Sequence, residues 1–371
     1  MRPKILHVSQ ATGGVETSII LLLDHFDHSR FEHHLVCPPG TTLEARARSL
    51  GVRVIPVNMV RGPNPVRDLA ALFTLIRLIR REGYAIVHGH SAKGGYLGRL
   101  AARFGGARRA LYHPRGFSYL SQRGIGRAFY LRLERWAVWW TDLVVAASES
   151  ERQRAIKEVG FRPERVVRVF NSVDFNEMEG VPSAAGAPPV VLTVGRFAYQ
   201  KNPEMFVRVA AIVARQRPDV RFIWVGGGFA GPLEARVRDM VVSAGLSTSF
   251  EILPWATKRE SLAAIGACAV FVLTSRFEAL GNATQEAMMF AKPAVVTDVD
   301  GSRDLVTDGL NGYLVAENDD ETMARRILEL LTDGGLAARM GAAGRRRVEQ
   351  DFDIRNNVRR LEEVYVGQHG A

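Results

Sequence analysis

The chain has 371 residues, 47% apolar and 24% charged, the balance of a globular protein long enough for two domains of ordinary size. Its net charge is +10 and uneven: residues 1–180 hold 27 Lys and Arg against 16 Asp and Glu, whereas residues 181–371 hold 22 against 23. Two distant cysteines, Cys37 and Cys268, argue against a disulfide framework, and no apolar run approaches the ~18 residues of a membrane span.

Lys4–Ser9 reads as a first strand, followed by the glycine pair Gly13-Gly14 and an apolar helix, Thr17–Phe26. A glycine pair after a strand lets backbone amides approach a ligand closely, although many such turns hold none. Strands follow at Glu32–Cys37 and Val52–Val57, then an amphipathic helix, Leu69–Arg81. The strand Ala85–His88 runs on into Gly89, His90, Ser91 and Lys93. Ala110–His113 is the next strand and ends in Pro114-Arg115-Gly116. Arg127–Trp140 mixes three arginines with Phe129, Tyr130, Trp136, Trp139 and Trp140. That mixture suits either a membrane interface or a helix packed on the sheet with arginines at its rim. Leu143–Ala147 and Val166–Phe170 complete the first series.

Residues 179–189, rich in Pro, Gly and Ala, read as a linker. A second series starts at Val190–Val194, with Gly195-Arg196 and Lys201 on the loop and Pro203 opening a helix. Strands at Arg221–Val225, Phe250–Leu253, Ala269–Thr274, Pro293–Thr297 and Tyr313–Val315 alternate with helices, the last being Ile354–Val366. Alternation of strand and helix predicts an α/β protein built of doubly wound parallel sheets. The expected division is 1–178, a linker at 179–189, 190–352, and a C-terminal helix, 353–371, packing back toward the first domain.

The loop after the Ala269 strand holds Glu278, Gly281 and Asn282, and Glu286 lies in the helix beyond, with seven residues between the glutamates. Strand ends of an open sheet form the ligand crevice. Arg196 and Lys201 there suit a diphosphate, one as a planar fork and one as a point charge. The expected helix, Ala283–Phe290, turns free amides toward the same anion. The glutamates, in cationic surroundings, suit sugar and ribose hydroxyls better than a glycosidase acid–base pair. Asp298-Val299-Asp300 reads as a turn rather than a metal site. His88 and His90 share a strand face with no third ligand nearby in sequence, which argues against zinc. His113 and Arg115 share a face by the same alternation.

Taken together, these residues resemble the retaining nucleotide-sugar glycosyltransferases of family 4, whose GT-B fold faces two Rossmann-like domains across a cleft. The glutamate pair, Gly195-Arg196 with Lys201-Asn202, Asn171-Ser-Val-Asp174 and Gly13-Gly14-Val-Glu16 carry the likeness over nearly the whole chain. His88-Gly-His90-Ser-Ala-Lys93 and Gly116-Phe-Ser-Tyr-Leu120 resemble the branch that builds bacterial exopolysaccharide, capsule or O-antigen.

The resemblance implies a metal-independent transfer of sugar from a UDP- or GDP-linked donor to a lipid-linked or oligosaccharide acceptor. No separate cofactor is implied. Arg196 and Lys201, with the amides of Gly281 and Asn282, would hold the diphosphate. Glu278 would hold the transferred sugar, and Glu286 the ribose. Gly13, Gly14 and Gly195 would admit the donor, and His90, Ser91 and Lys93 the acceptor. The expected location is the cytoplasmic face of the inner membrane, with no nucleic-acid partner. Arg115 stands where the family usually has a His that contacts the donor sugar. Three outcomes stay open there: an added cation, substitution by His113, or lost activity. Ala279 and Ser172 replace usual glycines. A nucleotide-sugar epimerase of the same fold and a weak nucleotide-sugar binder are the competing expectations.

Overall fold

A computed structural model of the chain describes residues 2–10, 13–60, 62–181, 188–228, 231–254 and 256–367. The chain forms two compact units: Met1–Ser172 with Ile354–Ala371, and Val173–Asp353. The division falls ahead of the expected linker, of which residues 182–187 lie outside the described residues.

Unit 1 carries a seven-stranded parallel sheet. Its strands are β1 (Lys4–Ser9), β2 (Glu32–Cys37), β3 (Arg53–Pro56), β4 (Ile86–His90), β5 (Arg109–His113), β6 (Leu143–Ala146) and β7 (Val166–Arg168), in the order β3-β2-β1-β4-β5-β6-β7. The chain winds outward from β1 and then restarts at β4, so the strand order reverses between these two. On one face, Leu35, Leu111 and Val145 join the helix Gly14–His25 and the final helix, Ile354–Val366, in a single core. Leu361 is fully buried there, and Glu362 accepts from the Asp27 amide at 2.7 Å. The final helix is thus part of unit 1, although 181 residues of unit 2 precede it in the chain. On the other face the helix Ser91–Gly105 lies close against β1 and β5. A Cβ on Gly94 would sit 2.5 Å from the Val8 carbonyl oxygen, and one on Gly95 2.2 Å from the Tyr112 ring.

Unit 2 has six parallel strands: β8 (Val190–Val194), β9 (Arg221–Gly227), β10 (Phe250–Pro254), β11 (Val270–Leu273), β12 (Ala294–Thr297) and β13 (Tyr313–Val315). Their order is β10-β9-β8-β11-β12-β13. This is the doubly wound pattern, with its reversal between β8 and β11. Phe206, Phe222, Trp224 and Phe250 pack ring against ring in the core, each worth about 1.5–3 kcal/mol of burial. Trp224 also donates its indole N–H to the Gly195 carbonyl at 2.7 Å, fixing the loop that leaves β8.

Candidate active site

The reversal point of unit 2 collects the expected residues. The β8 loop carries Gly195, Arg196 and Lys201; the β11 loop carries Glu278. Because β8 and β11 are neighbours, residues far apart in sequence meet: Lys201 Nζ donates to Glu278 Oε1 at 2.5 Å. Ser275 Oγ donates to the same oxygen at 2.7 Å. Further bonds lock one loop to the other. The Arg276 amide donates to the Gln200 carbonyl at 2.8 Å, and Gln200 Nε2 to the Phe277 carbonyl at 3.0 Å. Thr274 Oγ1 donates to the Lys201 carbonyl at 2.9 Å. Gly195 makes room for the lysine stem, since a Cβ there would lie 3.1 Å from Lys201 Cε.

Glu278 is buried, and its carbonyl accepts the Gly301 amide at 3.1 Å. The helix beyond spans Asn282–Met289 with Gly281 as its N-cap, no side-chain cap and no acidic residue in its first turn. A helix N-terminus of this kind carries a partial positive charge that suits an anion. Glu286, buried at 7% exposure, accepts from Lys258 Nζ at 2.6 Å, and Lys258 also reaches Glu177 at 3.2 Å. Burial raises the Glu177 carboxyl despite Lys258. Burial pulls the Lys258 ammonium down, but the Glu286 and Glu177 charges outweigh it and leave the group raised. Neither Lys258 nor Ser275 was among the expected site residues. Lys258 opens the helix Lys258–Ala267 behind a Thr257–Glu260 capping box, and no local pattern marks it as a partner of Glu286. Asp298 pairs with Arg303 at 2.6 Å, and Asp300, 3.8 Å from the same guanidinium, opens the helix Asp300–Leu305 rather than lying in the expected turn.

Unit 1 places the other expected residues. Gly13, at φ 72°, caps the helix Gly14–His25 after β1, a backbone conformation that favours glycine. Lys93 is tied to Asp68 at 2.6 Å. Ser91 opens its helix at φ 59°. His90 is fully buried, so the imidazole expected to meet an acceptor is covered in this structure.

The third imidazole missing beside His88 and His90 comes from His7 on β1. One nitrogen from each of His7, His88 and His90 lies within 4.8 Å of the others. Register explains this: His7 is opposite His88, and Ser9 opposite His90. His33 on β2 and His113 on β5 extend the same face into a row across four strands. His7 Nε2 is 3.0 Å from His33 Nδ1, His7 Nδ1 is 3.0 Å from His90 Nε2, and His88 Nδ1 is 2.8 Å from the Tyr365 hydroxyl. Burial holds His7, His88, His90 and His113 well below the usual imidazole range, and the Arg115 charge adds to it. Three neutral imidazoles suit a borderline metal ion. Among the described residues, however, no carboxylate or thiolate joins the triad, and a guanidinium acts on all three rings, a poor setting for a dication.

Comparison with known proteins agrees with this geometry. The family description "Glycosyl transferases group 1" matches residues 174–347, and "Glycosyltransferase Family 4" matches residues 12–177. The chain is 25% identical to the UDP-Gal:alpha-D-GlcNAc-diphosphoundecaprenol alpha-1,3-galactosyltransferase of Escherichia coli, over 98% of this chain and 96% of that protein. It is 30% identical to the alpha-maltose-1-phosphate synthase of Mycolicibacterium smegmatis, over 76% and 79%. In fold it is similar to Anabaena Alr3699/HepE, crystallised with UDP and glucose, with a TM-score of 0.84, 19% identity, and coverage of 98% of this chain and 100% of that one. Two doubly wound sheets, the strand-end lysine–glutamate pair of unit 2 and these matches lead to one conclusion: the chain belongs to the family 4, group 1 glycosyltransferases and has the GT-B fold.

Proposed function

We propose that the protein is a retaining, metal-independent transferase that moves a sugar from a UDP-linked donor to a lipid-linked glycan acceptor in bacterial surface polysaccharide synthesis. The observation that carries this reading is the meeting of Lys201 and Glu278 at the strand reversal of unit 2. There Lys201 and Arg196 neutralise the donor diphosphate, together with the first-turn amides of the helix Asn282–Met289. Glu278 accepts from hydroxyls of the transferred sugar, and Glu286 from the ribose. As the bond from the anomeric carbon to the phosphate oxygen breaks, these fixed charges take up the developing negative charge. The acceptor hydroxyl attacks from the face the leaving group vacates, and a departing phosphate oxygen takes its proton. No step needs a metal ion.

The E. coli relative is named for a diphosphoundecaprenol-linked acceptor, which supports a lipid-linked acceptor here. Support for a peripheral seat on the inner membrane comes from the helix Gly124–Ala137 and the turn after it. Ile125, Phe129, Trp136 and Trp139 are 91%, 54%, 61% and 83% exposed, beside exposed Arg127, Arg132 and Arg135. Tyr130 and Trp140 pack inward, so the packed-helix reading holds for only part of this segment. Among the described residues no helix is long and apolar enough to cross a membrane.

The test is transfer from UDP-sugars to a polyprenyl-diphosphate-linked sugar in the presence of a chelator, with the product anomer read by NMR. A product with the donor's anomeric configuration, formed undiminished under chelation, is expected. Loss of activity on chelation would contradict the metal-free mechanism, and epimerised donor with no transfer would favour an epimerase.

A further inference from the structure

Arg115 is a buried and poorly compensated charge of unit 1. It is only 8% exposed, and its Nη1 donates to Asn171 Oδ1 at 2.6 Å. Its Nε and Nη2 are buried with no hydrogen-bond partner. These two atoms form one edge of the guanidinium, the edge that takes both oxygens of a carboxylate or phosphoryl group side by side. Glu151, whose charge acts on Arg115, is committed elsewhere: its oxygens accept the Gly116 and Ala147 amides, both at 2.7 Å. A buried cation without a partner is expensive, and a fold keeps one only for a reason.

Two further observations point the same way. Arg115 sits at φ 52°, in the left-handed region where a non-glycine residue is strained, and Gly116 follows at φ 97°. Strain of this kind is stored where the surroundings over-determine it, often at a ligand site. Beside it, His113 has both ring nitrogens unpartnered and His90 has Nδ1 unpartnered, all buried. Their rings lie 5.9 Å apart at the C-terminal ends of neighbouring strands. Each neutral imidazole offers an N–H without adding charge.

We propose that Arg115, with His113 and His90, forms an oxyanion subsite in unit 1 that anchors a negatively charged group of a substrate. The fork edge grips two oxygens of that group, and an imidazole N–H takes a third contact or one of the same oxygens. The site stands on unit 1 alone; that its anion belongs to a substrate rests on the transferase reading. Two sources share this chemistry: a phosphoryl group of a lipid-linked acceptor and the carboxylate of an acidic sugar.

Thermal unfolding of the whole chain in saturating UDP, which fills the donor phosphate site, separates them. Sodium pyrophosphate and sodium glucuronate are added separately, with sodium chloride at matched ionic strength as the reference. One of the two should raise the Tm of the wild type by about 2–4 °C. Pyrophosphate assigns the phosphoryl source, glucuronate the carboxylate. Arg115→Met should abolish the rise and, without added anion, melt at or above the wild type, because an unpaired buried charge is gone. A rise that persists in Arg115→Met, no rise with either anion, or a lower melting point of the variant without anion would each overturn the subsite. If UDP itself fails to raise the Tm, the donor reading of unit 2 is what fails.

Discussion

Lys201 Nζ and Glu278 Oε1 lie 2.5 Å apart, although the residues are separated by three strands of sequence. The pair does more than hold two loops together. On the proposed reading, an arriving diphosphate would draw the ammonium to itself and release the carboxylate to accept sugar hydroxyls. The ion pair therefore keeps both groups positioned in a partly buried site before the donor comes.

Glu278→Gln keeps the shape and loses the charge. We expect the affinity for UDP to stay within about threefold, while kcat for transfer falls about 10²–10³-fold. Steady-state kinetics with calorimetric UDP titration measures both. A fall in UDP affinity with kcat unchanged would assign Glu278 to nucleotide binding instead.

Lys258 answers two acids at once, Glu286 and Glu177, from a position only 29% exposed. Lys258→Ala leaves both carboxylates close together without their cation. The expected loss in stability is about 1–3 kcal/mol, tempered by the water that reaches the lysine. Urea unfolding of the variant against the wild type checks it. Lys258→Ala, Glu286→Gln should recover part of the loss.

The histidine row makes unit 1 sensitive to acid. His88 is held down to about 3, by burial first and then by the Arg115 charge, so it stays neutral in the fold. In the unfolded chain it takes up a proton near pH 6.5. Between these values the unfolded state binds more protons, so stability rises with pH and is lost as pH falls below about 6.5. From pH 7 to 5.5, His88 alone should cost about 1 kcal/mol, with His7, His90 and His113 acting in the same direction. Denaturant midpoints at the two pH values measure this. Equal stability at both would mean that the row is already protonated or exposed.

Much of this was legible in the chain before its fold was seen. Glu278 and Glu286 belong to one strand–loop–helix passage, and Arg196 and Lys201 to one loop, so spacing alone placed each pair. The reversal between β8 and β11, which the alternation alone does not locate, brings the two passages together. What stayed hidden depends on register between strands that are distant in sequence. His7 stands 81 positions before His88, and only the β1–β4 pairing puts them opposite each other. Lys258 likewise reaches Glu286 through packing, with no motif to announce it. The resemblance marked His90 as an acceptor contact, but His90 turns the same way as His88, into the core.

The most direct test of the central claim is calorimetric titration of UDP into the wild type and Lys201→Ala. If the fixed cations of unit 2 hold the donor diphosphate, the variant should bind UDP at least about tenfold more weakly, a loss of about 1.4 kcal/mol. Equal affinity in the two proteins would contradict it and move the diphosphate away from the loop that carries Lys201.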